Sequence, residues 1–502
     1  MLQLKDQSVL ILGLGASGLA MARWCARSGA QVTVVDTRQA PPQRDALMRD
    51  VPQASFRCAA LDAALIEGTA VRAVFRSPGL TPAQAAPVLI AADAMGIWAT
   101  GELGLFSQAL ADLKVSRGYD PKVLAVTGTN GKTTVTSLTG QLINRAGKTV
   151  AVAGNIGPTL LDTLSQHLDE DSLPEVWVLE LSSFQLDGVG GFEPTAATVL
   201  NITQDHLDWH GTMPDYIGAK ARIFGESAQM LLNRDDPQVV ALLPSPVKGR
   251  APRQWVSFGA DLPRRPGDFG IEEVNGMVWL VRALEADETL KKRKGVEEEI
   301  HIQRLMPAEA LRIRGRHNAL NALAALGLAC AAGCALGPLL YGLREYRGEP
   351  HRVEPVGVIN NIEFFDDSKG TNVGATVAAL GGLGADRKVV VIMGGEGKGQ
   401  DFAPLAKPVA QFARAVVLMG RDATLIRAAL GSSQVSVQDV PSMAAAVNKA
   451  YELAHEGDAV LMSPACASFD MFDNYEHRAR VFCDAVRELA DNCGVVLGGV
   501  AA

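Results

Sequence analysis

The eight residues Thr127-Gly128-Thr129-Asn130-Gly131-Lys132-Thr133-Thr134 follow an apolar run at 123–126. A strand that enters a glycine-rich loop and leaves it as a helix cradles phosphate. Backbone N–H groups hold the oxygens, the lysine offsets charge on the β- and γ-phosphates, and a threonine hydroxyl can ligate Mg2+. Here the lysine is Lys132 and the hydroxyl is that of Thr133 or Thr134. The loop is shorter than the commonest consensus, because its first glycine is Gly128. Three more residues have the right chemistry. Glu180 ends an apolar run at 176–179, where a sheet's carboxyl edge would place a hard carboxylate suited to Mg2+. His206 stands in an Asp-His pair after the run at 197–200, and Lys220 follows further on.

A second glycine loop comes earlier. Gly13-Leu14-Gly15-Ala16-Ser17-Gly18 follows the run at 8–12, and Asp36 ends the next run. Glycines let backbone approach a diphosphate at a helix N-terminus, and Asp36 could accept from a sugar or base hydroxyl. Taken alone, this motif points to NAD(P). A hydride-handling site is not found downstream, and a UDP-sugar carries the same diphosphate, with Thr37 and Arg38 placed to meet its nucleotide.

The elements that must position these groups alternate. Strand-like runs recur at 8–12, 31–35, 73–75, 123–126, 149–152, 176–179 and 197–200, then at 230–232, 362–365, 388–392, 415–418 and 459–461. Helical stretches lie between them, so α/β domains with mostly parallel sheets are expected. The chain has 502 residues, which suggests three domains at about 100–200 residues each. Loop-type chemistry near 115–121 and 346–350 divides it into 1–115, 116–346 and 347–502.

Apolar residues make up 48% and the net charge is −8, which fits a soluble globular protein and argues against a nucleic-acid binder. Seven dispersed cysteines fit reduced thiols in a cytoplasmic protein, and Cys330 with Cys334 lacks the second pair that a metal site needs. The uncharged stretch at 317–343 is long enough to span a bilayer. Its Ala and Gly content, Asn318, Asn321 and Gly337-Pro338 predict a buried helix and a turn instead, with no membrane insertion. The mixed-charge run at 285–299 is expected to be a solvated surface insertion.

The loop TGTNGKTT resembles the ATP loop of the Mur ligases and their folylpolyglutamate synthase cousins. The resemblance continues through Gly154-Asn155-Ile156-Gly157, Glu180-Leu-Ser182-Ser183-Phe184-Gln185, Asn201-Ile-Thr-Gln-Asp205-His206, Ala219-Lys220-Ala-Arg222, Gly315-Arg-His-Asn318-Ala-Leu-Asn321 and His351-Arg352. It runs from about residue 8 to 487 and is weakest over 245–312. GLGASG, Asp366-Asp367-Ser368-Lys369-Gly370-Thr371-Asn372 and Ser463-Pro-Ala-Cys-Ala-Ser468-Phe469-Asp470 resemble the D-glutamate-adding members. The family resemblance implies a Rossmann-like N-terminal domain, a central P-loop ATPase-type domain and a C-terminal Rossmann-like α/β domain. It implies a cytoplasmic, monomeric enzyme of peptidoglycan synthesis, which joins D-glutamate to UDP-N-acetylmuramoyl-L-alanine at the expense of ATP.

The resemblance also implies roles. ATP would meet Gly128–Thr134 with Asn318, Asn321, Arg352, Asp367 and Lys369. The UDP part would lie over Gly15, Ala16, Ser17, Gly18, Asp36, Thr37, Arg38 and Gly79, and the muramoyl-alanine arm along Asn155, Ser182, Gln185 and His206. D-Glutamate, with two carboxylates, would be met by Thr371, Lys398 and Ser468, with Phe469 and Tyr475 as walls. Lys132, Glu180, His206 and Lys220 would be catalytic. Two Mg2+ ions are expected on Thr133, Glu180, His206 and Lys220, with His206 either a metal ligand or a substrate contact. A bare lysine does not suit a metal. The resemblance implies that Lys220 is carbamylated and so anionic. Another amino-acid adder of the same superfamily and a redox nucleotide binder are the competing readings.

Overall fold

A computed structural model of the chain describes residues 4–249, 251–286, 299–385, 387–431 and 433–497. The N-terminal part holds β1 (Ser8–Leu12), α1 (Ala16–Arg27), β2 (Gln31–Asp36), β3 (Ser55–Cys58), β4 (Val71–Arg76), β5 (Trp98–Thr100) and α2 (Glu102–Arg117). Its strands form a parallel sheet in the order β3-β2-β1-β4-β5. The order reverses at β1, and the first glycine loop leaves there, at the switch point where such sheets bind ligands. Helix α2 runs through the 115/116 junction to Arg117 before the chain turns at Gly118 (φ 66°).

The central part carries β6 (Lys122–Thr127), α3 (Lys132–Arg145), β7 (Val150–Gly154), α4 (Leu160–Asp169), β8 (Val176–Glu180), β9 (Ala196–Val199), α5 (Met213–Ala221), β10 (Gln229–Asn233) and β11 (Trp255–Phe258). These strands form a parallel sheet ordered β11-β10-β9-β6-β8-β7. Every residue of β8 is buried, as expected of a strand covered on both faces. The phosphate loop, Glu180 and the loop after β9 therefore leave three adjacent strands at one edge.

Beyond the parallel sheet lies an antiparallel one of β12 (Phe269–Val274), β13 (Met277–Glu285) and β14 (Ile300–Pro307). It occupies the region where the resemblance is weakest. Most of the mixed-charge run, 287–298, lies outside the described residues. The uncharged stretch forms α6 (Arg316–Ala331), largely buried on the central core, and then a second helix, Leu336–Glu345. Pro338 sits in that helix's first turn, where a missing N–H costs nothing, so it opens the helix rather than breaking the chain. Among the described residues no helix is long and apolar enough to cross a membrane.

The C-terminal part has β15 (Glu354–Ile359), β16 (Ile362–Asp366), α7 (Val373–Leu383), β17 (Val389–Gly394), β18 (Ala413–Met419), β19 (Ser436–Asp439), β20 (Ala459–Met462) and α8 (Tyr475–Asn492). Its sheet is parallel except for the edge hairpin β15-β16, in the order β15-β16-β20-β17-β18-β19.

Close approach explains one glycine of the first loop. A Cβ on Gly18 would stand 2.1 Å from the Gly13 carbonyl oxygen, so α1 abuts β1 only because that position has no side chain. Gly18→Ala is expected to destabilise the N-terminal part by about 1–3 kcal/mol, visible by calorimetry. An unaltered melting profile would contradict the packing described.

Candidate active site

The phosphate loop is bent by Gly128 (φ 155°) and Gly131 (φ 83°), the latter capping α3 in the left-handed conformation. The loop after β9 braces it. Asn130 N–H donates to Asn201 Oδ1 (2.8 Å), and Asn201 Nδ2 donates back to the Asn130 carbonyl (3.1 Å). Thr129 Oγ1 donates to the Thr203 carbonyl (3.1 Å) and lies 3.0 Å from the Tyr216 hydroxyl. Lys132, the first residue of α3, donates to the carbonyls of Gly128 (3.0 Å) and Thr129 (2.9 Å).

Lys220 arrives from the last turn of α5 and is 2% exposed. It donates to the same Gly128 carbonyl (2.9 Å) and to Thr127 Oγ1 (3.4 Å), with its Nζ 4.6 Å from the Tyr216 ring centre. Two amines thus converge on one oxygen. Burial holds the Lys220 amine well below the ordinary lysine range and Lys132 pushes it further, while Asp205 and Glu180 oppose. Burial also lowers Lys132, which Glu180 and Asp205 partly offset.

Glu180 is 1% exposed. Its Oε1 accepts from Asn155 Nδ2 (2.8 Å), but its buried Oε2 has no hydrogen bond. An unpaired buried carboxylate oxygen is costly unless a cation meets it, so the residue fits a divalent ion. His206 takes a left-handed backbone (φ 53°), packs its ring 4.7 Å from Phe184 and points Nε2 to within 3.6 Å of Asp205. Desolvation lowers its titration, against the pull of Asp205.

The C-terminal part closes over this edge. Arg352 donates to Thr133 Oγ1 (2.5 Å) from a linker in which His351 (φ 62°) and Val353 (φ 51°) are both left-handed. A β-branched residue there is strained, and the strain is held where the chain crosses between domains. Lys369 Nζ lies 3.7 Å over the Tyr475 ring. Asn372 caps α7 and donates to Asn130 Oδ1 (3.1 Å), a direct contact on the phosphate loop.

These groups enclose a cavity of about 640 Å³. It is lined by Lys132, Thr133, Asn155, Glu180, Ser182, His206, Lys220, Arg352, Lys369, Thr371 and Tyr475, together with Thr129, Asn130 and Gly131. An adjoining pocket of about 150 Å³ is lined by Thr134, Asn318, Asn321 and Asp367. A third, of about 140 Å³, joins His206 and Thr371 to Lys398.

Other predicted residues have different surroundings. Gln185 does not line the cavity: its side chain and that of Ser182 form a capping box at the helix Ser183–Leu186. Asp36 is 3% exposed, and its carboxylate accepts from Leu14 N–H (2.8 Å) and from the Arg38 backbone and guanidinium. It therefore latches the first glycine loop. Gly15, Ala16, Ser17, Gly18, Thr37, Arg38 and Gly79 do not line the central cavity. Ser468 is buried, whereas Phe469 is 65% exposed, with Lys398 Nζ 5.7 Å from its ring centre.

Sequence reading missed three supports. Arg478 is 2% exposed and donates to the carbonyls of Cys466 (3.1 Å) and Ser368 (2.8 Å), tying together both loops of the C-terminal part. Asn201 braces the phosphate loop. Tyr216 precedes Lys220 by one helical turn, a spacing that could have revealed it.

Asp367 is buried. Burial raises its carboxyl to about 7, despite Ser463 Oγ donating at 2.6 Å and Arg352 nearby. With the folded value above the unfolded one, the fold holds a proton that the unfolded chain releases. Stability from this group is full below about pH 4 and is lost as pH rises towards 7. Asp367→Asn should therefore gain on the parent in urea melts as pH rises from 4 to 7. A constant difference across that range would overturn the assignment.

Comparison with known proteins gives a consistent placement. The chain matches the family models for a Mur ligase MurD-like N-terminal domain over 7–101, a Mur ligase middle domain over 126–329 and a Mur ligase glutamate ligase domain over 351–466. It is 71% identical to a protein of Albidiferax ferrireducens named UDP-N-acetylmuramoylalanine–D-glutamate ligase, covering 99% of each chain. It is 59% identical to a Polaromonas protein of the same name, covering 99% of this chain and 100% of that one. Its fold is similar to that of a MurF ligase of Thermotoga maritima solved in complex with ADP, at 15% identity and a TM-score of 0.57, over 97% of this chain and 96% of that one. With three consecutive domain matches and near full-length identity of 71%, the chain belongs to the Mur ligase family.

Proposed function

We propose that this chain ligates D-glutamate to UDP-N-acetylmuramoyl-L-alanine with cleavage of ATP to ADP and phosphate, a cytoplasmic step of peptidoglycan synthesis carried out by a monomer. The observation that carries the reading is the Lys132–Glu180–Lys220 constellation beside the phosphate loop. The near full-length relatives of that name support it. The working units are 1–115 for the UDP substrate, 116–346 for ATP and 347–502 for the amino acid.

The reaction brings two anions together. The acceptor's alanyl carboxylate attacks the γ-phosphorus of ATP, forming an acyl phosphate and releasing ADP. The D-glutamate amine then attacks the acyl carbon and phosphate leaves. Positioning and fixed charge supply most of the catalysis for such a transfer. Lys132 turns from the loop carbonyls to the β- and γ-phosphates. Arg352 and Lys369 bring cations from the C-terminal part, and Asn318, Asn321 and Asp367 hold the nucleoside side. Asn155, Ser182 and His206 flank the muramoyl arm. Gln185 serves that arm by fixing Ser182, and Asp36 serves the UDP end by fixing its loop. Thr371, Lys398 and Ser468 receive the glutamate carboxylates, with Phe469 and Tyr475 as walls.

Mg2+ would be held by Thr133, Glu180, His206 and Lys220, and when bound it neutralises phosphate charge. Lys220 suits that set only as an anion. Its amine shares one carbonyl with Lys132 in a buried site, which favours loss of its proton. A neutral amine adds to the carbon of CO2 and gives up a proton, leaving a carbamate. The like-charge pair then becomes an attractive one.

ADP release with the UDP-muramoyl-alanine acceptor should require D-glutamate and not occur with L-glutamate. Equal rates with both, or with another amino acid preferred, would overturn the assignment. Lys132→Ala should lose several powers of ten in rate while remaining folded by circular dichroism. For Lys220→Ala, short carboxylic acids should restore part of the activity by filling the anionic position. Rescue by amines alone would mean that Lys220 is a phosphate-binding cation.

A further inference from the structure

Glu102 belongs to no part of the site just described, yet only 2% of it meets solvent. It is the first residue of α2, and its Oε1 accepts the backbone N–H of Leu161 at 3.1 Å, from the N-terminal part to the central one. Leu161 is the second residue of α4, whose N-cap Thr159 makes no side-chain capping bond. The Thr159 hydroxyl goes instead to Asp162 Oδ2 (2.9 Å). A helix start exposes unpaired N–H groups and partial positive charge. Glu102 therefore supplies from another domain the cap that α4 lacks.

The same contact touches both ends of the acceptor's path. Helix α1, which leaves the first glycine loop, packs against both α2 and α4, and the Ser17 hydroxyl in its first turn favours the charged form of the Glu102 carboxyl, whose buried Oε2 has no hydrogen bond among the described residues. Arg23 of α1 binds Asp162 of α4 at 3.0 Å, a second tie from the N-terminal part to α4. On the other side, α4 begins just after the loop 154–158. That loop is closed on itself by Gly154 N–H to the Pro158 carbonyl (2.9 Å) and Gly157 N–H to the Gly154 carbonyl (2.8 Å). It carries Asn155, the residue that holds Glu180.

We propose that Glu102 is a positioning residue that registers the first glycine loop against the Asn155–Glu180 pair, so that an acceptor gripped at its UDP end presents its carboxylate at the phosphate loop. The proposal rests on the acceptor reading above. Without Glu102 the start of α4 loses its cap and the two halves of the acceptor site lose their common register.

Two measurements on the full chain test it. In steady-state kinetics, Glu102→Ala should raise KM for the UDP acceptor roughly tenfold or more and lower kcat, with KM for ATP and D-glutamate changed by less than about twofold. Glu102→Gln keeps an acceptor for Leu161 N–H and should restore most of the acceptor KM. Glu102→Asp, too short to reach, should behave as the alanine variant does. In hydrogen exchange with UDP alone as the probe, a peptide covering 158–165 should be protected in the parent and in Glu102→Gln. It should not be protected in Glu102→Ala or Glu102→Asp. A variant that melts earlier yet keeps the parent acceptor KM and the UDP-induced protection would reduce Glu102 to a stability residue and overturn the proposal, as would a parent without such protection. If the alanine variant does not fold, the Asp–Gln contrast decides. Should the parent fail to release ADP with acceptor and D-glutamate, the ligase reading fails, while the exchange experiment still judges Glu102.

Discussion

The Gly128 carbonyl oxygen accepts from two lysines, Lys132 and Lys220, and the site is organised around that shared acceptor. Two buried ammonium groups cannot both stay charged so close together without a strong penalty. Burial lowers both amines, Lys220 the more strongly and with Lys132 adding to the shift, and Glu180 and Asp205 oppose it. Lys132 lies at the start of a helix and lines the central cavity. Lys220 is 2% exposed and bounded by Thr127 and Tyr216, and it meets the central cavity from a more buried position. The two amines therefore differ in burial although they share one acceptor.

Glu180 is the complement to that pair. It brings one oxygen held by Asn155 and one with no hydrogen bond among the described residues. The central sheet makes the meeting possible, because β6, β8 and β9 are neighbours and their loops open on one edge. The charges at that edge come from segments far apart in the chain. Arg352, Lys369 and Asn372 reach it from the C-terminal part, so the cationic surround is complete only with that part folded over. The strained linker at His351 and Val353 is where the crossing is accommodated.

Tertiary packing gave several residues a different task from the one their types suggested. Asp36 is a carboxylate after a strand beside a glycine loop, and its type and spacing suggest a ligand hydroxyl. Leu14 and Arg38 occupy its oxygens instead. Ser182 and Gln185 look like substrate contacts and form a reciprocal cap. Glu102 has no motif at all, and becomes notable only because α4 of another domain starts beside it.

The phosphate loop, the first glycine loop and most strands were legible in the sequence because their signals are local. A glycine turn between an apolar run and a helix needs only its own residues, and a strand buried on both faces reads as a continuous apolar run. The β12–β14 sheet was missed although 277–281 is an apolar run, because β12 and β14 mix apolar with charged and polar residues and the strands pair antiparallel, outside the strand–helix alternation. Arg478 reads as one more cation on the amphipathic helix α8. It is a structural clamp only because Cys466 and Ser368 fold against it with their carbonyls unpaid by any ladder. By itself the sequence determined which residues can carry charge and which glycine loops have the pattern of a phosphate cradle. Tertiary structure alone decided which lysine is the more deeply buried and which carboxylate oxygens are left without a hydrogen bond. Those outcomes depend on burial and on neighbours contributed by remote segments, and neither quantity is a property of local sequence.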